Sequence, residues 1–198
     1  MLQKPFAASA EENKKVILEQ LKDILQDTTS VLEIGSGTGQ HAVYFARYLT
    51  AIDWQPTEIG ENLAGLEMWR QEADLDNLAV AFELDVAQED WRLARKFDAV
   101  FTANTLHIMS SSHVEKLFAG LASVLQENGI FCCYGPFNKS GQFSSESNAR
   151  FDVWLKQRDS NSGIRDLDDL KQYAKKSHLR LIQDIEMPVN NRLLVWGR

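Results

Sequence analysis

The chain has 198 residues, 44% of them apolar and 10% aromatic, which is ample for one substantial core and short for two, so a single domain over 1–198 is expected. No run approaches the roughly 18 uninterrupted apolar residues of a membrane span. The start, Met1-Leu2-Gln3-Lys4-Pro5-Phe6, lacks the apolar stretch of a secretory signal, which points to the cytoplasm. A formal net charge of −7 argues against broad affinity for nucleic acid and leaves a small molecule or a protein as the expected partner.

Taken in chain order, Ser9 with Glu12 reads as a capping box, and Val16, Ile17, Leu21, Ile24 and Leu25 follow at helical spacing, which predicts a helix near 9–26. Ser30–Ile34 is a short β-rich run that breaks into glycines, and a helix follows from about Gln40 to Tyr48. Further strands are predicted at 51–54, 79–84, 97–103 and 130–134, separated by helical segments near 61–72, 89–95 and 112–126. Ser112 with Glu115 is a second capping box for the last of these. After Tyr134 comes a loop rich in Gly, Ser and Asn, 135–148, then amphipathic pieces near 149–157 and 166–176. Two runs, 179–186 and 192–196, flank the turn-like Met187-Pro188-Val189-Asn190-Asn191 and read as an antiparallel hairpin at the sheet edge. Strands alternating with helices predict an α/β fold: a mostly parallel, seven-stranded Rossmann-like sheet with helices on both faces. Cys132 and Cys133 are adjacent on one predicted strand, so their side chains diverge, and neither a disulfide framework nor a metal site is expected.

The strongest chemical signal is Val31-Leu32-Glu33-Ile34-Gly35-Ser36-Gly37-Thr38-Gly39-Gln40-His41, three alternating glycines where a strand turns into a helix. Glycine there permits unusual dihedrals and lets a ligand approach the backbone. A dinucleotide loop asks for Gly-x-Gly-x-x-Gly, and Gln40 stands where its third glycine belongs. Glu58 lies 19 residues beyond Gly39, close to the roughly 20-residue spacing at which a carboxylate meets a ribose hydroxyl. Asp53 competes for that role but sits inside an apolar run, whereas Glu58 follows Pro56-Thr57, where the strand is expected to have ended. Asp85 closes the next strand, and its plain alternative is a helix cap.

The run from Phe97 to Ile108 is an apolar strand ending in small polar residues. Ligands of open α/β sheets bind outside the carboxyl ends of the strands, so Asn104, Thr105 and His107 are expected at the site. No Pro-Pro pair exists in the chain, which disfavours the Asn/Asp-Pro-Pro-Tyr chemistry on nucleobase nitrogens. An imidazole titrates near neutrality, which makes His107 the candidate base; the alternative is a histidine that simply bonds a neighbouring loop. Tyr134, ending the following strand, is a candidate for positioning.

Glu33 followed by Gly35, Gly37 and Gly39 resembles the first motif of class I S-adenosylmethionine-dependent methyltransferases. The whole chain, from about Lys4 to Arg198, is similar to the methyltransferase-like protein 26 family, also catalogued as a domain of unknown function. The runs that carry this likeness are Trp54-Gln55-Pro56-Thr57-Glu58, Asn104-Thr105-Leu106-His107-Ile108, Tyr134-Gly135-Pro136-Phe137, Ser144-Ser145-Glu146-Ser147-Asn148, Gly163-Ile164-Arg165-Asp166 and Met187-Pro188-Val189-Asn190-Asn191. The chain departs from the family in having Glu12 where an arginine is common and Glu58 where aspartate is usual.

The resemblance implies a class I methyltransferase fold that binds S-adenosylmethionine through Glu33, Gly35, Gly37, Gly39, Glu58, Asp85, Val86, Asn104 and Thr105. Asp85 would accept from the adenine amino group and Val86 would cover the ring. Asn13, Tyr134, Ser147, Asn148, Arg165, Asn190 and Asn191 are candidates for an acceptor pocket. All of these but Tyr134 also have a structural reading; for instance, Asn190-Asn191 would be a hairpin turn, Asn148 a helix cap, and Arg165 an ion-pair partner of Asp166 or Asp168. The leading expectation is a methyltransferase acting on a small polar metabolite or a protein side chain. A cofactor-binding module without turnover is the alternative, and a nicotinamide-dependent oxidoreductase is disfavoured by Gln40.

Overall fold

The computed structural model describes residues 3–88, 90–91 and 93–198. Its contacts group into two compact units, one of Met1–Asp85 with Phe97–Thr102, the other of Val86–Lys96 with Ala103–Arg198. The main sheet is mostly parallel and has seven strands.

The first unit runs α1 (Ala8–Ile24), β1 (Ser30–Ile34), α2 (Gln40–Tyr48), β2 (Asp53–Glu58), α3 (Gly60–Ala73), β3 (Phe82–Glu83) and β4 (Phe97–Ala103). Its strands lie parallel in the order β3-β2-β1-β4. Strands buried on both faces read as continuous apolar runs, and Val31 to Ile34 are all buried. Phe45 of α2, Trp54 of β2 and Phe101 of β4 form an aromatic core with centroids 5.4–5.9 Å apart. Asp98 pins β4 to the start of β1 by accepting from the Thr29 and Ser30 amides at 2.9 and 3.0 Å.

The second unit holds α4 (Ser111–Val124), β5 (Leu125–Gly135), β6 (Phe137–Asn138), α5 (Glu146–Arg158), β7 (Arg165–Asp166), α6 (Leu167–Lys176), β8 (Arg180–Met187) and β9 (Asn191–Gly197). β9 lies antiparallel to both β5 and β8, so the C-terminal hairpin is present, and β6 pairs parallel with β7. Phe118 of α4 meets Phe131 and Trp196 edge-on at 5.5 Å each. Cys132 and Cys133 are buried and unlinked.

Several boundaries differ from the sequence expectation, each for a local reason. The first helix starts at Ala8, and Ser9 caps nothing, because the Ala7 amide is held by Gln40 Oε1 at 2.6 Å and fixes the entry earlier. Ser110, not Ser112, caps α4 by accepting from the His113 amide at 3.2 Å. β2 runs on through Pro56 to Glu58. The missing amide of Pro56 faces the side where Trp54 pairs with Leu78 and β3 has not yet begun, and there Gln55 Nε2 donates to the Val80 and Pro56 carbonyls instead. For the same reason the predicted strand 79–84 shrinks to Phe82–Glu83. Of the helix expected at 89–95, Glu89 and Arg92 lie outside the described residues and the others are not helical. Trp91 is instead buried against α4, where a Cβ on Gly120 would stand 2.2 Å from its ring.

Candidate functional site

In the first unit the carboxyl ends of β1, β2 and β3 come together. Gly35, Gly37 and Gly39 have φ of 69°, 56° and 90°, the left-handed region that side chains other than glycine resist. The turn closes through the Ser36 amide on the Thr57 carbonyl and the Gly39 amide on the Ser36 carbonyl, both at 2.9 Å. Gly37 is exposed, and a side chain there would meet nothing within 4 Å, so open space lies in front of the loop.

Glu58 reaches into this turn. Its Oε2 accepts from the Gly37 amide at 2.6 Å and its Oε1 from the Ile59 amide at 2.9 Å. Asp53, the competitor, begins β2 and lies at the opposite end of that strand. Asp85 follows β3 after Leu84, whose amide donates to the Glu58 carbonyl at 3.1 Å. Glu33 is buried beneath the loop, where its Oε2 accepts from the Trp54 indole at 2.8 Å. Burial raises its pKa to about 7; Trp54 and Ser36 oppose the rise, and Glu58 adds to it. A buried acid whose donors among the described residues are neutral is suited to a cationic group.

Gln40 has a different task from the glycine it stands in for. Its Oε1 accepts from the Ala7 amide and from the Thr38 hydroxyl at 3.0 Å, tying the segment before α1 to the start of α2. Asn13 is spent on the same junction, with its Oδ1 accepting from His41 Nε2 at 2.7 Å.

The second unit gathers the other candidates into two groups. One joins the start of α5 to the β8–β9 turn. Asn148 Nδ2 donates to the Ser144 hydroxyl at 2.8 Å and to the Asn190 carbonyl at 3.2 Å, and Asn190 Nδ2 donates to Ser147 Oγ at 3.3 Å. Asn191 Nδ2 donates to the Tyr134 hydroxyl at 3.0 Å, and the Tyr134 carbonyl accepts from the Asn104 amide at 2.9 Å. Asn148 does not cap α5, since Ser145 does that by accepting from the Asn148 amide. Asn190 has φ of 58° and does serve the turn.

The second group surrounds the loop after β4. The carbonyls of four consecutive residues, Leu106 to Met109, each accept a hydrogen bond from the segment 162–165. Arg165 Nε donates to Leu106 at 3.2 Å, the Gly163 amide to His107 at 2.9 Å, Ser162 Oγ to Ile108 at 2.7 Å, and Arg165 Nη2 to Met109 at 2.7 Å. Thr105 donates to the Ala103 carbonyl at 3.0 Å and its own carbonyl closes the turn at Ile108. The His107 ring is buried, edge-on to Phe151 at 5.2 Å. Burial first, and then the Arg165 charge, lower its pKa to about 4. Among the described residues Arg165 makes no ion pair with Asp166 or Asp168. Val86 is buried in this unit.

The chain belongs to the family described as Protein of unknown function (DUF938), whose model matches residues 4–198. The fold of this family member is that of solved S-adenosylmethionine-dependent methyltransferases. It superposes on a putative O-methyltransferase from Nostoc punctiforme with TM-score 0.81 at 13% identity, covering 96% of this chain and 56% of that one. For the S-adenosylmethionine-dependent methyltransferase SibL in its apo form the TM-score is 0.80 at 17% identity, covering 96% and 56%. For PigF with SAH it is 0.76 at 14% identity, covering 87% and 51%. The chain therefore spans little more than half the length of these neighbours.

Sequence reasoning missed Trp54, Gln40 as a tether, and Ser162 with Gly163 as carbonyl donors. The run Gly163-Ile164-Arg165-Asp166 was the one signal for the last pair, and nothing local showed that their partners lie more than 50 residues earlier. Among the described residues no helix is long and apolar enough to cross a membrane.

Proposed function

We propose that the chain is a cytoplasmic S-adenosylmethionine-dependent methyltransferase, a single domain over 1–198, acting on a small polar metabolite or a protein side chain. The observation that carries this reading is the glycine loop, with a carboxylate from the next strand on the Gly37 amide and open space where a side chain would stand. Glu33 fits the ammonium of a methionine moiety, Glu58 a ribose diol, and Asp85 with Val86 the adenine; Asn104 and Thr105 complete the set read from the motifs. Bound there, the cofactor would supply an electrophilic methyl group whose thioether leaves neutral. The protein's work is then alignment and, for a protonated acceptor, proton removal. With its pKa near 4, His107 is neutral at cytosolic pH and free to accept a proton, although it is a weak base. That same burial favours the second reading, a module that binds the cofactor without turnover. The fold neighbours, PigF with SAH among them, support the cofactor, and the sequence runs between Trp54 and Asn191 support the narrower likeness to the methyltransferase-like protein 26 family.

Calorimetric titration with S-adenosylmethionine, S-adenosylhomocysteine and NADH tests the reading. Binding of the two sulfur nucleosides without NADH is the expected result, and binding of NADH alone overturns it. A methylated acceptor in a small-molecule and peptide screen separates the enzyme from the binding module.

A further inference from the structure

A cavity of about 420 Å³ opens in the second unit beside the start of α4 and the segment 160–165. Its wall includes two cations, Lys156 and Arg165, one carboxylate, Asp152, and the hydroxyls of Ser110, Ser112 and Ser160. The carboxylate is already satisfied. Asp152, 4% exposed, accepts from Lys156 Nζ at 2.6 Å and from the Ile164 amide at 2.8 Å.

Arg165 is in a different position. Besides the Leu106 and Met109 carbonyls, it donates through Nη1 to Ser111 Oγ at 2.7 Å and through Nη2 to the Asn161 carbonyl at 2.8 Å. All four acceptors are neutral, and among the described residues no carboxylate bonds to the guanidinium. A half-buried charge held against neutral groups carries a desolvation cost that a bound anion would offset. Burial is indeed the main influence lowering the Arg165 pKa, opposed at a distance by Asp152, Tyr173 and Asp169. The guanidinium has five N–H groups, and these bonds leave one on Nη1 uncommitted. The wall thus has an excess positive charge, fixed in place by the bonds that hold Arg165; the Ser110 and Ser112 hydroxyls bond each other at 2.9 Å, which leaves one of that pair, with Ser160, as a hydroxyl donor.

We propose that this cavity binds the oxyanion of a small molecule, a carboxylate or a phosphate, with Arg165 and Lys156 supplying the charge and the serine hydroxyls the remaining donors. The site stands independently of the S-adenosylmethionine reading.

The test titrates the full chain with inorganic phosphate and, separately, with succinate, at an ionic strength held constant with chloride, and follows melting temperature and calorimetric heat. At least one of the two is expected to bind saturably above the chloride background, and which one does identifies the oxyanion. Ser160→Asp places a carboxylate on the exposed rim of the wall without touching the Arg165 bonds, and should weaken that binding by about tenfold or more. Ser160→Asn, which replaces the hydroxyl by an uncharged amide of similar bulk to the aspartate, should weaken binding far less than Ser160→Asp, and Thr50→Asp, which adds the same charge to an exposed position in the other unit, should bind as the wild type does. No saturable binding of either probe overturns the proposal. Equal affinity in wild type and Ser160→Asp also overturns it and means an adventitious ion only.

Discussion

The glycine loop after β1 and the loop after β4 differ in where their backbone hydrogen bonds go. In the first, the Gly37 amide is met by a side-chain carboxylate, Glu58, and the space beyond it is open. In the second, four successive carbonyls are occupied by donors from 162–165 before any ligand arrives. A buried backbone group needs a partner within the protein, whereas an exposed one such as the Gly37 amide can also be met by water. The first loop is built from groups that a ligand can rearrange, since water can take the exposed Gly37 amide when Glu58 turns to a bound hydroxyl. The second is a fixed wall whose shape belongs to the protein alone. Ligand binding should therefore respond steeply to changes in the first loop, while changes at the clamp of the second should appear chiefly as lost stability.

Gly37→Trp is the largest break expected in that comparison. A non-glycine residue at φ 56° costs about 1–2 kcal/mol, which a folded domain tolerates, and the indole has room to stand where the ligand would lie. Affinity for S-adenosylhomocysteine should fall by about 100-fold or more with a melting temperature only a few degrees lower. Calorimetry with a thermal melt checks both, and unchanged affinity in a folded variant removes the loop from the site.

Arg165→Ala is the converse. It removes four hydrogen bonds made by a charged donor, and the unfolding free energy should fall by about 3 kcal/mol in a urea titration. Arg165→Lys should recover only part of this, because one ammonium cannot reach the Leu106, Met109 and Asn161 carbonyls together. Affinity for S-adenosylhomocysteine should change by less than about tenfold, since the glycine loop is untouched. A variant as stable as the wild type would mean that the clamp holds nothing.

The same contrast explains what was legible in the sequence. Gly35, Gly37 and Gly39 announce their backbone directly, because the residue type and the dihedral requirement are one fact, and spacing together with the preceding Pro56-Thr57 pointed to Glu58, whose carboxylate meets the Gly37 amide. β1, α2 and β4 match the expected bounds because apolar residues dominate each run and the glycines of 35–39 and the polar turn at Asn104 mark their ends. Competition between hydrogen-bond partners was not legible. Ser9 and Ser112 are good caps by type, yet Gln40 from a distant helix and Ser110 from the preceding turn won those positions. Arg165 read as an ion-pair partner of its sequence neighbours, and its actual acceptors lie 54 to 59 residues earlier, apart from Asn161. Local pattern carries propensity, whereas only the folded chain decides which of several equivalent donors is closest.

Glu58→Gln sharpens the first half of the comparison with a smaller effect. The amide oxygen of glutamine can still accept from Gly37, so the turn should persist, while the charge that strengthens the bonds to amide and ligand hydroxyls is lost. A drop in S-adenosylhomocysteine affinity of about tenfold is expected, read by calorimetry. A drop as large as that of Gly37→Trp would instead mean that the carboxylate holds the loop together.

The smallest expected signal comes from Glu33, and it separates a site awaiting a cation from one that is merely buried. The pKa of this acid is raised from 4.5 to about 7, so it is about half protonated at neutral pH. A raised acid stabilises the fold at low pH and loses that contribution as pH climbs through 7, so its ionised form is a burden on the free protein above that point. Glu33→Gln should therefore be the more stable protein at pH 8, by up to about 3 kcal/mol, and should match the wild type below pH 4.5. An ammonium settling beside Glu33 would draw the pKa back down and expel the proton. Titrations of S-adenosylmethionine at pH 7, where an α-ammonium is still largely protonated, in buffers of different ionisation enthalpy should then show release of about half a proton per site. Release that stays the same in Glu33→Gln would assign the proton elsewhere, and uptake in place of release would mean that no cation docks on Glu33.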